Sequence, residues 1–135
     1  MTDTTHGKLE GKKVLLVEDD LFFTKLVDKK LSNSKCVFNH VGTGDDAVKF
    51  LHDNVPDVVL LDIMLPGGLD GFGVLKKMKE DEKLKNVPVI ILSNLSSPAD
   101  IERGMSLGAF RYLVKASITP NDILSHLASV FGIRI

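Results

Sequence analysis

The sequence predicts a doubly wound α/β domain built on a parallel sheet of five strands. Three observations carry this. Five short apolar runs of strand length recur along the chain, and such runs suit strands covered on both faces. Between and after them lie five segments with apolar residues at helical spacing. The connections are short, and no repeat, linker or second domain interrupts the alternation.

Residues 1–11, MTDTTHGKLEG, are polar and read as a flexible tail, with the folded domain expected over 12–135. KVLLVE (13–18) is the first strand. DLFFTKLVDKKLSN (20–33) is the first helix, with Phe23, Leu26, Val27 and Leu31 spaced for one face and Asp20 as its N-cap. CVFNHVG (36–42) is a weaker second strand, and TGDDAVKFLHDN (43–54) a second helix capped by Thr or Asp. DVVLLD (57–62) is the third strand and the most apolar. DGFGVLKKMKED (70–81) is the third helix, with Phe72, Leu75 and Met78 on one face. PVIILS (88–93) is the fourth strand, its Pro88 at the start where a missing N–H does little harm. SPADIERGMSLG (97–108) is the fourth helix, with Pro98 in the first turn and Gly108 at the C-cap. FRYLVKA (110–116) is the last strand and ITPNDILSHLASVFG (118–132) the last helix.

In such sheets the reactive groups gather beyond the carboxyl ends of the strands. Those ends carry Glu18 and Asp19 on the first strand, Asp62 on the third, Ser93 and Asn94 on the fourth and Lys115 on the fifth. Taken singly, each has an ordinary explanation. An Asp at a strand end is a turn former, an acidic triplet is a solvated turn, Ser caps loops and Lys is solvated. The weight lies in their convergence on one edge.

Crowded carboxylates repel unless a positive charge sits among them. Oxygen-only ligands at a wet site favour Mg²⁺. A cation and a lysine around one carboxylate form a receptor for a phosphoryl group, with the carboxylate as nucleophile and Ser93 as hydrogen-bond donor to a phosphoryl oxygen.

Composition narrows the classes. The chain has 135 residues, enough for one ordinary core, with 17 basic and 18 acidic side chains. That balance gives no electrostatic reason to expect nucleic acid as a direct partner. No apolar run approaches a membrane span, and the N-terminal stretch lacks a signal-peptide core. One cysteine, Cys36, excludes an intrachain disulfide, and a cytoplasmic location fits best. His6, His40, His52 and His126 are scattered and lack metal-ligand spacing.

The motifs VLLVEDD, VVLLDIMLP followed by DG, VIILS and GAFRYLVK together make the chain resemble the receiver domains of two-component response regulators over about residues 12–132. The resemblance implies a flavodoxin-like (βα)5 fold with strand order 2-1-3-4-5, of the single-domain chemotaxis type. It implies Asp62 as phospho-acceptor, and Glu18 and Asp19 holding Mg²⁺ together with Asp62 and the Met64 backbone carbonyl. It implies Ser93 as the switch hydroxyl, Lys115 as the phosphoryl partner, and Tyr112 as an aromatic that swings inward on phosphorylation. Phosphate would come from a histidine kinase or histidine phosphotransfer protein. The protein would catalyse only its own phosphorylation and dephosphorylation. With no output domain after residue 132, the signal is expected to pass through the fourth helix, fifth strand and fifth helix to a downstream protein, a second copy or a relay.

Three features depart from the family pattern. LPGGLDG after Asp62 is one residue longer than usual, and the added Gly supplies backbone freedom. Ala116 follows Lys115 where most members have Pro, so a trans peptide and an altered loop are expected. Asn94 stands where the family has a small residue beside the phosphoryl group, so it is expected to narrow access or add a hydrogen bond there and so to tune phosphoryl lifetime. Met64 and Leu95, at positions that tune phosphoryl lifetime in the family, are apolar and cannot orient an attacking water, so slow dephosphorylation is expected. Leu21, Phe22 and Phe23 exceed what one helix face buries, so they are either core or a docking face for a four-helix-bundle partner. Two other readings remain: a Mg²⁺-dependent phosphohydrolase acting through an aspartyl-phosphate, and a pseudo-receiver that binds partners without phosphate. Met64 stands where the first would need an acid, and the complete acceptor set argues against the second.

Overall fold

The computed structural model describes residues 9–133. Five parallel strands form one sheet in the order β2-β1-β3-β4-β5, with β1 at Lys13–Val17, β2 at Val37–Val41, β3 at Val58–Leu61, β4 at Val89–Ser93 and β5 at Arg111–Val114. The helices are α1 (Leu21–Leu31), α2 (Gly44–Asp53), α3 (Gly71–Lys79), α4 (Pro98–Ser106) and α5 (Pro120–Val130). The sequence-expected alternation and strand order both hold.

The continuous apolar runs have a direct cause. Successive side chains on a strand point to opposite faces. Leu15 and Val17 of β1, Val59 and Leu61 of β3, and Val89 and Ile91 of β4 enter one core with α2 and α3. Val14, Leu16, Val58, Leu60, Ile90 and Leu92 enter the other, against α1 and α5. Every residue of β3 is fully buried. In register, Leu16 pairs with Leu60 and Leu60 with Ile90, so the three inner strands run level and end together.

Each helix is shorter than its periodic segment because local caps fix its ends. Asp20, Thr43, Asp70 and Ser97 accept backbone N–H groups at the starts of α1 to α4, and Thr119 with Asp122 forms a capping box on α5. The first helix gives way to a 3-10 turn at Ser32–Ser34 and to Lys35 in a left-handed conformation. Residues 1–8 of the expected tail lie outside the described residues. Leu9 is buried in the core beneath α1 and α5, and Lys12 donates to its carbonyl at 3.0 Å. Packed chain thus begins before residue 12, because Leu9 is an apolar side chain with a place to go. No helix among the described residues is long and apolar enough to cross a membrane.

On the β5–α5 side, an Arg111 guanidinium nitrogen lies 2.9 Å from His126 Nδ1. Guanidinium only donates, so Nδ1 must accept and the imidazole must be neutral. Burial, reinforced by the Arg111 charge and opposed by Asp122, holds His126 below its ordinary value of 6.5. The unfolded chain therefore binds the extra proton first, and stability is lost as pH falls through the unfolded value. Between pH ~7.5 and ~5.5, urea unfolding of the natural chain is expected to lose more stability than that of His126→Gln; equal losses would refute this.

Candidate functional site

Asp62 directly follows β3, and its amide donates to the Val17 carbonyl at 3.0 Å, tying it to β1. Its side chain is buried, with Oδ1 accepting from the Met64 amide at 3.2 Å and Oδ2 from the Lys115 amine at 3.1 Å. Glu18 directly follows β1, its amide bound to the Val41 carbonyl at 3.0 Å. Its carboxylate is fully buried, accepting from the Asp20 amide at 3.1 Å and from the Lys115 amine. Lys115 thus bridges Glu18 and Asp62 from the far side of the sheet.

Asp19 is exposed, yet one carboxylate oxygen each from Glu18, Asp19 and Asp62 lies within 4.8 Å of the others. Three hard oxygen donors, two buried and one open to solvent, fit a small divalent cation such as Mg²⁺. Burial pushes the Glu18 carboxyl up to about 7, while its hydrogen bond from Lys115 pulls the other way. Burial alone would lower the Lys115 amine, but the Glu18 hydrogen bond and the Asp62 charge outweigh it and hold the group above its ordinary value. The lysine is therefore a fixed positive charge among the acids.

Ser93 ends β4 and is fully buried, its Oγ accepting from the Leu95 amide at 3.2 Å. The Tyr112 hydroxyl donates to the Leu95 carbonyl at 2.6 Å, so the ring lies inward against the β4–α4 loop. A Cβ at Gly104 on α4 would meet Ile91 Cδ1 at 2.7 Å and Tyr112 Cδ2 at 2.9 Å, so a side chain there would force the Ile91 tip and the ring to shift. Asn94 is exposed and Leu95 half-buried, and Met64 shares a groove with Asp19, Leu95 and Arg103.

The loop after Asp62 closes through the Gly71 amide, which donates to the Ile63 carbonyl at 2.9 Å. A Cβ on Gly71 would lie 2.6 Å from Ile63 Cα, which explains glycine in this DG pair. Gly67, at φ +90°, and Gly68 have no neighbour within 4 Å of a Cβ position, so the additional length bulges into solvent. Lys115, Ala116 and Ser117 form a 3-10 turn, and every peptide bond among the described residues is trans.

Of the three residues singled out at the head of α1, Leu21 and Phe22 are 65% and 73% exposed, whereas Phe23 is half-buried with its ring under the Lys115 amine. Sequence reasoning gave His40 no role here. Its Nε2 lies 2.6 Å from the Glu18 carbonyl, so it donates there and braces the acidic turn. The pairing of Leu16 with His40 carries the signal, since it sets the imidazole beside the end of β1. Gly104 and the Phe23 ring were likewise missed, because both act across segments distant in sequence.

Fold and site together define a doubly wound α/β domain with an acidic cation cluster and a charged lysine at the carboxyl edge of its sheet. Residues 14–128 match the family described as the response regulator receiver domain. A probable transcriptional regulator, ycf27, of Guillardia theta is 37% identical over 123 residues, covering 90% of this chain and 46% of that protein. The chain thus spans about half the length of that curated relative. The receiver domain of a signal transduction histidine kinase from Syntrophus aciditrophicus superposes with a TM-score of 0.82 at 28% identity, covering 90% of this chain and 91% of that one. The receiver domain of sensor histidine kinase PA1611 from Pseudomonas aeruginosa PAO1, with magnesium in its active-site cleft, gives 0.81 at 26% identity, covering 90% and 98%. The chain belongs to the response regulator receiver domain family of two-component signalling.

The chain has one tyrosine and no tryptophan, so Tyr112 can be read without labelling. Burial holds its phenol above the ordinary 10.0, with the Asp100 charge adding to the effect. Gly104→Ala is expected to push the ring out, to destabilise the fold by about 1–3 kcal/mol, and to bring the phenol's absorbance titration back toward its ordinary value. An unchanged titration would show that the glycine is not what admits the ring.

Proposed function

We propose that this receiver accepts a phosphoryl group on Asp62 and converts it into a change at a protein-binding surface. The observation that carries the reading is the Lys115 amine bound to both Glu18 and Asp62 at the strand ends. An Asp62 oxygen attacks the phosphorus of a phosphohistidine, a P–O bond forms as the P–N bond breaks, and the departing imidazole nitrogen keeps the electron pair and takes a proton. Glu18, Asp19, Asp62 and the Met64 backbone carbonyl would hold Mg²⁺, which supplies positive charge opposite the phosphoryl oxygens. Lys115 takes a phosphoryl oxygen in exchange for carboxylate contact. Ser93 turns its hydroxyl toward the new group, and Tyr112 keeps the loop through Leu95 in step.

The donor is a histidine kinase or histidine phosphotransfer protein. Its docking face is the exposed apolar start of α1, where Leu21 and Phe22 stand clear of the core and Leu26 is 38% exposed. The output face is α4, β5 and α5, where Met105 on α4 and Phe110 just before β5 are 44% and 41% exposed, and a downstream protein or second copy would read it. Direct contact with nucleic acid or membrane forms no part of this reading, and the cytoplasm is the compartment that suits a kinase partner. The protein turns over no separate substrate. Met64, two residues past the acceptor and 58% exposed, offers no acid for a phosphohydrolase, and the bridging lysine is a feature a pseudo-receiver would not need.

Incubation with Mg²⁺ and acetyl phosphate, followed by intact mass, is expected to add one phosphoryl group to the natural chain and none to Asp62→Ala. No gain in either would sink the proposal. Because Met64 and Leu95 cannot orient water, the Asp62 phosphate should decay slowly, and Met64→Asn with Leu95→Gln should shorten its life by about tenfold or more. Unchanged decay would remove these two residues from the explanation.

A further inference from the structure

Lys115 has a difficult position. It leaves the chain at the first residue of a 3-10 turn, just past an edge strand, yet its amine reaches carboxylates at the ends of β1 and β3. A lysine is a point charge on a flexible four-carbon stem, with none of arginine's planar preorganisation. Its two anionic partners hold the ammonium by charge, which sets no direction for the stem. Ala116 and Ser117 are exposed and bring no packing to the task.

The Phe23 ring lies against this amine. The amine lies 4.6 Å from the ring centroid, inside the roughly 6 Å range of a cation–π contact. The ring is held in its turn: Asp20 Oδ1 accepts from the Phe23 amide at 3.2 Å, and the side chain packs on the core beneath α1 and α5. Glu18, Asp62 and the aromatic face therefore meet the ammonium from three different elements. A leucine would occupy similar space but would offer no negative face.

We propose that Phe23 is a positioning residue for Lys115, its ring face holding the amine in line with Asp62. This rests on the receiver reading for its consequence, but not for the contact itself. Two measurements on the full chain separate them. In the first, the Lys115 ε-methylene protons are followed by NMR in the natural chain, Phe23→Tyr and Phe23→Leu. The ring current is expected to shift them upfield in the first two and not in the third. In the second, Mg²⁺-dependent binding of beryllofluoride is titrated. Phe23→Tyr should bind as the natural chain does, and Phe23→Leu should bind ~2- to 30-fold more weakly, the span of one cation–π contact. Lys115 resonances indifferent to the aromatic ring would overturn the proposal, as would beryllofluoride binding unchanged by leucine or weakened equally by tyrosine. If the natural chain takes up no beryllofluoride, the receiver reading fails, and the resonances still decide the contact.

Discussion

The structure turns on one electrostatic constraint. Two carboxylates, Glu18 and Asp62, are held with little solvent at the edge of an apolar sheet. In a medium of low polarity their repulsion and lost hydration would be costly without compensation. The Lys115 amine supplies that compensation by touching both. Charge groups held this far from water are weak evidence of stability, because their lost hydration offsets much of their attraction, whereas removing one partner would leave the others uncompensated.

The fold supplies the rigidity that this demands. Asp62 and Glu18 are the first residues past adjacent parallel strands, and each is tied by its amide to the neighbouring strand. Close packing on both faces leaves those strands little freedom to slide. Irregular backbone is confined to the rim: the β4–α4 loop tied through Leu95, the glycine-bearing loop past Asp62, and the 3-10 turn after β5.

Much of this was legible in the sequence, for a physical reason. Strands such as VVLL must be apolar throughout when both faces are covered, and the helices between them must be one-sided, so the alternation is written twice over. The acids and the lysine were legible because parallel strands all end at one edge. Less visible were features that depend on three-dimensional neighbours. Leu9 looked like tail because it stands alone in a polar stretch, though it reaches the core. His40 looked incidental until strand register set it beside the Glu18 carbonyl. Gly104 reads as an ordinary helix glycine until the Tyr112 ring is placed against it. Helical spacing set Phe23 on the apolar face and left Phe22 off it, but could not show that the Phe23 ring meets the Lys115 amine.

The alternation of side chains along β1, β3 and β4 has a consequence for how such a chain can vary. Each inner strand serves two hydrophobic layers at once, odd-numbered residues to one and even-numbered to the other. Dropping or inserting a single residue within a strand would trade the two sets and shift the acidic tip to the wrong side. Changes of length are therefore confined to the connections, and the solvent-facing Gly67–Gly68 segment is where this chain has room to absorb one.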